Sequence, residues 1–150
     1  MGIDYDNGLE KLNQIPYKLG KPAFSSQRGM GSIHWVLFCS LSLAYDIKDI
    51  LEIGTFDGET ARIIAEIFPD GKITTLDLPD DDPILASSYQ RTKPEKLSAF
   101  YEIQSENIRH PRVEFIQANS FYLPSLVQGK FDLIWIDGGH LYPEVAWDIM

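Results

Sequence analysis

Cysteine is almost missing from this 150-residue chain. Cys39 stands alone, so no disulfide forms within the chain, and a reducing compartment, the cytoplasm, is the expected location. Long apolar runs are missing too: the longest, residues 33–44, is broken by His34, Ser40 and Ser42 and is too short to span a bilayer, so no membrane partner is expected. The opening residues, Met1 to Asp6, have neither the basic nor the apolar region of a secretory signal. Positive charge is scarce. Thirteen Lys and Arg face 22 Asp and Glu, a net charge of -9, and the basic residues are scattered, which argues against a nucleic-acid partner. There is no internal repeat or low-complexity tract. With 44% hydrophobic and 23% charged residues, the composition excludes disorder and suits one soluble domain with a single core.

What is present is an alternation of helical and strand patterns. Residues 1–31, with Pro16, Pro22 and several glycines, read as an irregular or partly helical arm. From Ser32, a candidate N-cap, the residues Ile33, Val36, Leu37, Leu41 and Ala44 recur at helical spacing, and Trp35, Phe38 and Tyr45 fit packing on a sheet. Ile50–Ile53 is an apolar run without alternation, as expected of a strand buried on both faces of a parallel sheet. A helix over 59–68, a strand over 72–76, a helix over about 94–108, strands over 112–117 and 131–136 and a last helix opening at Pro143 follow. This order predicts an α/β fold, a doubly wound, mostly parallel sheet with helices on both faces. Val145, Ala146 and Ile149 lack an evident cover, so the expectation is a sheet cut short after its fourth strand, completed by further chain or by a second copy.

The chemistry concentrates where strands end. Glu52-Ile53-Gly54-Thr55-Phe56-Asp57-Gly58 leaves the first strand through two glycines four positions apart. Ligands in doubly wound sheets bind outside the carboxyl ends of strands, near the switch point. The spacing does not fit G-x-G-x-x-G, whose middle glycine would fall on Phe56, and no Gly-Lys-Ser/Thr follows as in a P-loop.

Glu52 to Thr60 resembles motif I of the class I S-adenosylmethionine-dependent methyltransferases, an acidic residue followed by Gly-x-x-x-Gly. The resemblance implies that the Gly54–Gly58 loop, lined by Thr55 and Phe56, packs on the methionine part of the cofactor, and that Glu52 helps fix its ammonium. Asp77 closes the second strand about twenty residues beyond the glycine loop, the spacing of a ribose-binding carboxylate, and an ionised carboxylate accepts from both ribose hydroxyls. Leu78 becomes a candidate adenine wall. After the third strand, Asn119 and Ser120 stand where the family places an acidic and a small residue against the adenine; Asn119 replaces the usual Asp, and a plain turn residue is an equal alternative.

Phe131 to His140, followed by Tyr142, resembles strand four of a small-molecule and sugar O-methyltransferase subgroup. That likeness implies Asp137 beside the cofactor and acceptor, with His140 as the base taking a hydroxyl proton. A strand-end cap for Asp137 and a helix-capping or surface role for His140 remain the bland alternatives. In relatives that use magnesium the Asp equivalent to Asp137 is a metal ligand, so Mg2+ is an optional addition with at most one ligand here. The resemblance covers residues 50–150 and implies an S-adenosylmethionine-binding domain, its N-terminal part, over 32–150. The expected function is transfer of a methyl group to a small-molecule hydroxyl. A non-catalytic cofactor-binding or assembly module is the alternative, and a nicotinamide dehydrogenase is disfavoured by the glycine spacing.

Overall fold

The computed structural model describes residues 2–19, 23–25, 32–84, 94–139 and 143–150. Its elements in chain order are α1 (Tyr5–Lys18), α2 (Ile33–Ala44), β1 (Asp49–Ile53), α3 (Glu59–Ile67), β2 (Lys72–Asp77), α4 (Pro94–Ile108), β3 (Val113–Gln117), a 3-10 turn (Ser120–Tyr122), α5 (Leu123–Leu126), β4 (Leu133–Ile136) and α6 (Glu144–Ile149). The four strands form one parallel sheet in the order β3-β2-β1-β4. Asp49 lies opposite Lys72, Ile50 opposite Leu133, and Ile73 opposite Val113. The chain winds one way from β1 to β3 and then returns to the far side of β1. The switch point of this Rossmann-like α/β sheet therefore lies between β1 and β4.

Alternation along each strand builds two cores. Ile50 and Ile73 join α1, α2 and α3 on one side, with Leu12, Ile15, Phe38, Ile63, Ile64 and Ile67 among the buried residues. Leu51, Ile53 and Leu76 face the other side, covered by Ile116, Leu123 and Ile136. Burial of each such aliphatic side chain contributes roughly 1.5–3 kcal/mol. Arg112 ties the two layers by donating to the carbonyls of Pro69 and Ala65 at the C-terminal end of α3, where a cation suits the helix dipole.

Ser32 does cap α2, its hydroxyl accepting from the His34 N–H. The face that α2 buries differs from the expected stripe. Trp35, Val36, Phe38, Cys39 and Ser40 are buried, whereas Ile33, Leu37 and Tyr45 are exposed. Apolar residues surround this helix, so periodicity alone does not select the inner face. The leading segment contains a 14-residue helix, α1, whose Leu12 and Ile15 are buried in the same core. Gly8 lets α1 approach α2 closely, since a Cβ there would overlap the Ser40 side chain and crowd the Val36 carbonyl at 2.7 Å. Among the described residues, no helix is long and apolar enough to cross a membrane.

Candidate functional site

The carboxyl ends of β1, β2 and β4 are joined by backbone hydrogen bonds that continue the ladder past the strands. The Gly54 N–H donates to the Leu76 carbonyl at 2.8 Å, and the Asp137 N–H donates to the Ile53 carbonyl at 2.7 Å. Gly54 has φ +101°, and a Cβ on it would fall on the Asp137 carbonyl and the Gly138 nitrogen. What requires this glycine is the protein's own chain leaving β4.

The loop beyond Gly54 is held at the exit of β2. The Phe56 N–H donates to Asp77 Oδ2 at 2.6 Å, and Asp77 Oδ1 accepts from the Leu78 N–H at 2.8 Å. Phe56 has φ +50°, a backbone region that residues with a side chain seldom adopt. Gly58 has φ +75° and opens α3. The two halves of the expected cofactor cradle, loop and strand-end carboxylate, are thus in direct contact.

Beneath the loop runs a buried polar chain. Thr55 Oγ1 and Thr75 Oγ1 are 2.7 Å apart, and Thr75 donates to Glu52 Oε2 at 2.5 Å. Glu52 is 0% exposed, and its Oε1 is buried without a hydrogen-bond partner. Burial pushes its carboxyl up to about 8; the Thr75 hydrogen bond opposes this, and the negative charges of Asp137, Asp77 and Asp57 add to it. A buried carboxyl oxygen without a hydrogen-bond partner is a site of unmet demand.

The other expected residues divide. Ala118 N–H donates to the Asp77 carbonyl, which brings the turn after β3 to the same end of the sheet. There Asn119 Oδ1 caps the 3-10 turn by accepting from the Phe121 N–H at 2.9 Å, and Ser120 opens that turn. The Asn119 acceptor expected at the adenine is therefore engaged in the turn, and its amide nitrogen is the group left for a ligand. Asp137 follows β4 beside Gly54 and is exposed. His140 and Tyr142 lie outside the described residues. Among the described residues no three His, Cys, Asp or Glu side chains cluster as a metal site requires.

Three residues were missed by the sequence reading. Thr75 links Thr55 to Glu52; its signal was a pair of threonines inside an otherwise buried strand. Gln104 and Asn107 of α4 donate to the carbonyls of Phe56 and Asp57. They interrupt the helix face that carries Phe100 and Ile108. Trp135 packs on Phe38 and His34 at the edge of the main core. Two sizeable concavities lie away from the carboxyl ends of the strands. One, of about 750 Å3, lies between α1 and α2 and includes Asp4, Lys11 and Ser40; the other, of about 400 Å3, is at the amino ends of the strands near Lys72 and Lys130. Neither includes a residue of the loop.

The fold has solved counterparts. The S-adenosylhomocysteine-bound methyltransferase PaMTH1 of Podospora anserina is 22% identical with a TM-score of 0.50, over 87% of this chain and 50% of that one. An O-methyltransferase of Bacillus cereus in complex with S-adenosylhomocysteine is 21% identical with a TM-score of 0.45, over 98% of this chain and 62% of that one. The chain thus spans about half to three-fifths of the length of these solved relatives. No curated protein matches it. Residues 51–150, from within β1 to the last residue, match a family profile described as a methyltransferase domain, and the chain belongs to that methyltransferase family.

Proposed function

We propose that this protein transfers a methyl group from S-adenosylmethionine to the hydroxyl of a small molecule. The observation that carries the reading is the 2.6 Å contact between Asp77 and the Phe56 N–H, which sets a ribose-type carboxylate against the glycine loop. The donor set fits the cofactor. Asp77 accepts from hydroxyls, Leu78 offers an apolar wall, Asn119 and Ser120 offer polar groups to an adenine edge, and the unpartnered Oε1 of Glu52 is an acceptor suited to an ammonium.

Bound S-adenosylmethionine would supply an activated methyl group on a sulfonium. The chain's part is alignment and charge. Gly54, Thr55, Phe56 and Gly58 shape the methionine side, while Asp77 and Asp137 give the strand ends the negative field that a sulfonium and an ammonium both favour. On the acceptor side His140 would take the hydroxyl proton as the C–O bond forms and the S–C bond breaks, with Asp137 next to it in the sequence motif. The structural relatives named above are described as a methyltransferase and an O-methyltransferase, each with S-adenosylhomocysteine bound, which supports the cofactor assignment. Magnesium would need ligands beyond Asp137, and the proposal does not include it.

Thermal unfolding with S-adenosylhomocysteine tests the assignment. A ligand at about one hundred times its Kd stabilises by roughly 2.7 kcal/mol, and the expected rise in Tm is about 5–10 °C, with no rise for NAD. No shift with the first, or a larger one with NAD, overturns the reading.

A second reading has its own observation. Ile134 is 52% exposed on β4, an edge strand of the described sheet, and Trp147 and Ile149 are exposed nearby on α6. A second copy closing that edge, as in an assembly module, would bury them. Light scattering with and without cofactor separates the two: a monomer at micromolar concentration rules out the assembly role.

A further inference from the structure

We infer that Gln104 and Asn107 of α4 are positioning residues for the cofactor, acting through the backbone of the glycine loop. The inference rests on the methyltransferase reading above and adds to it an element more than forty residues away in sequence. Gln104 is buried at 7% exposure, and its Nε2 donates to the Phe56 carbonyl at 2.6 Å. One turn on, Asn107 Nδ2 donates to the Asp57 carbonyl at 2.9 Å. Phe56 is therefore gripped from both sides, by Asp77 at its N–H and by Gln104 at its carbonyl. Those two bonds hold it in a left-handed conformation that its side chain disfavours.

Packing reinforces the grip. The rings of Phe56 and Phe100 lie 5.3 Å apart, which fixes the same loop residue to the same helix. At Gly58 a Cβ would come within 2.9 Å of Ile108 Cγ2 and 3.1 Å of Asn107 Cβ. The second glycine of the motif thus admits α4 as well as opening α3. A buried amide aimed at a loop carbonyl is costly unless that carbonyl stays in place, so Gln104 and the loop conformation support each other. Binding to a loop already in its bound shape avoids the ordering cost of association.

The test uses the full protein with S-adenosylhomocysteine as probe. Gln104→Met keeps the size of the side chain and removes the donor; Asn107→Leu does the same one turn on. Calorimetry at a temperature where each variant is folded should give a Kd about tenfold weaker for Gln104→Met and a smaller loss for Asn107→Leu. Hydrogen exchange separates positioning from general stability. The amides of residues 55–58 should exchange about tenfold faster in Gln104→Met while those of Ile63–Ile67 keep their wild-type rates.

Wild-type affinity in folded Gln104→Met overturns the inference and leaves the methyltransferase reading intact. So does faster exchange in loop and core alike, which would make Gln104 a plain packing residue. Should Gln104→Met fail to fold, a folded Asn107→Leu that binds like wild type overturns it as well. A wild-type protein that takes up no S-adenosylhomocysteine overturns both.

Discussion

The two outer regions of the strand-end site differ in how they are held. On the β1–β2 side every strand residue after the first is buried up to Leu76, and the loop above is tied by Asp77, Gln104 and Asn107. On the β4 side no strand residue is fully buried, and Ile134 faces solvent. The half proposed to hold the cofactor is tied by hydrogen bonds between parallel strands and to a covering helix. The half proposed to meet the acceptor includes β4, which has one strand neighbour among the described residues.

This contrast predicts a division of labour. His140→Ala should lower kcat by about 10²–10⁴-fold while leaving the Kd for S-adenosylhomocysteine unchanged, as expected for a lost general base. Asp77→Ala should do the reverse, weakening S-adenosylhomocysteine by roughly tenfold or more through lost bonds to a charged acceptor. Calorimetry beside initial rates reads both; equal effects of the two variants on binding would erase the distinction between the halves. In stability the same contrast is expected between Ile50 and Ile134. Ile50→Ala opens a cavity in the main core and should cost about 2–5 kcal/mol in urea unfolding. Ile134→Ala, half exposed on β4, should stay within about 0.5 kcal/mol. A large loss at Ile134 would mean that the β4 face is covered in solution.

Glu52 gives the most specific signal. Its folded carboxyl is raised to about 8 from an ordinary 4.5, so the folded state keeps a proton that the unfolded chain releases over that window. Its contribution is complete below about pH 4.5 and is lost as pH rises toward 8. Ligand-free stability should therefore fall from pH 5 to pH 8, and Glu52→Gln should flatten the fall. Urea midpoints at three pH values measure it; an unchanged slope in the variant would mean that Glu52 is ionised in the fold.

Much of this was legible beforehand because it is local. Gly54 and Gly58, the Asp77 strand end and the Ser32 cap are short-range chemistry, and the strand positions came within one or two residues of those observed. The inner face of α2 is not legible in the sequence because its apolar residues run round the helix, with Ile33 and Leu37 left outside. Gln104 was passed over because a glutamine amid a partly apolar face looks like solvated surface until the loop carbonyl it meets is known.

The sequence by itself determined the α/β alternation, the positions of the turns and the carboxylates at the strand ends, since backbone propensity and apolar period act over a few residues. Tertiary structure alone decided that the Gly54 turn is shaped by the peptide leaving β4, that Glu52 lies wholly buried on Thr75, and that α4 grips the loop. Those outcomes depend on which atoms meet across twenty to eighty residues of chain, and no local pattern encodes such a meeting.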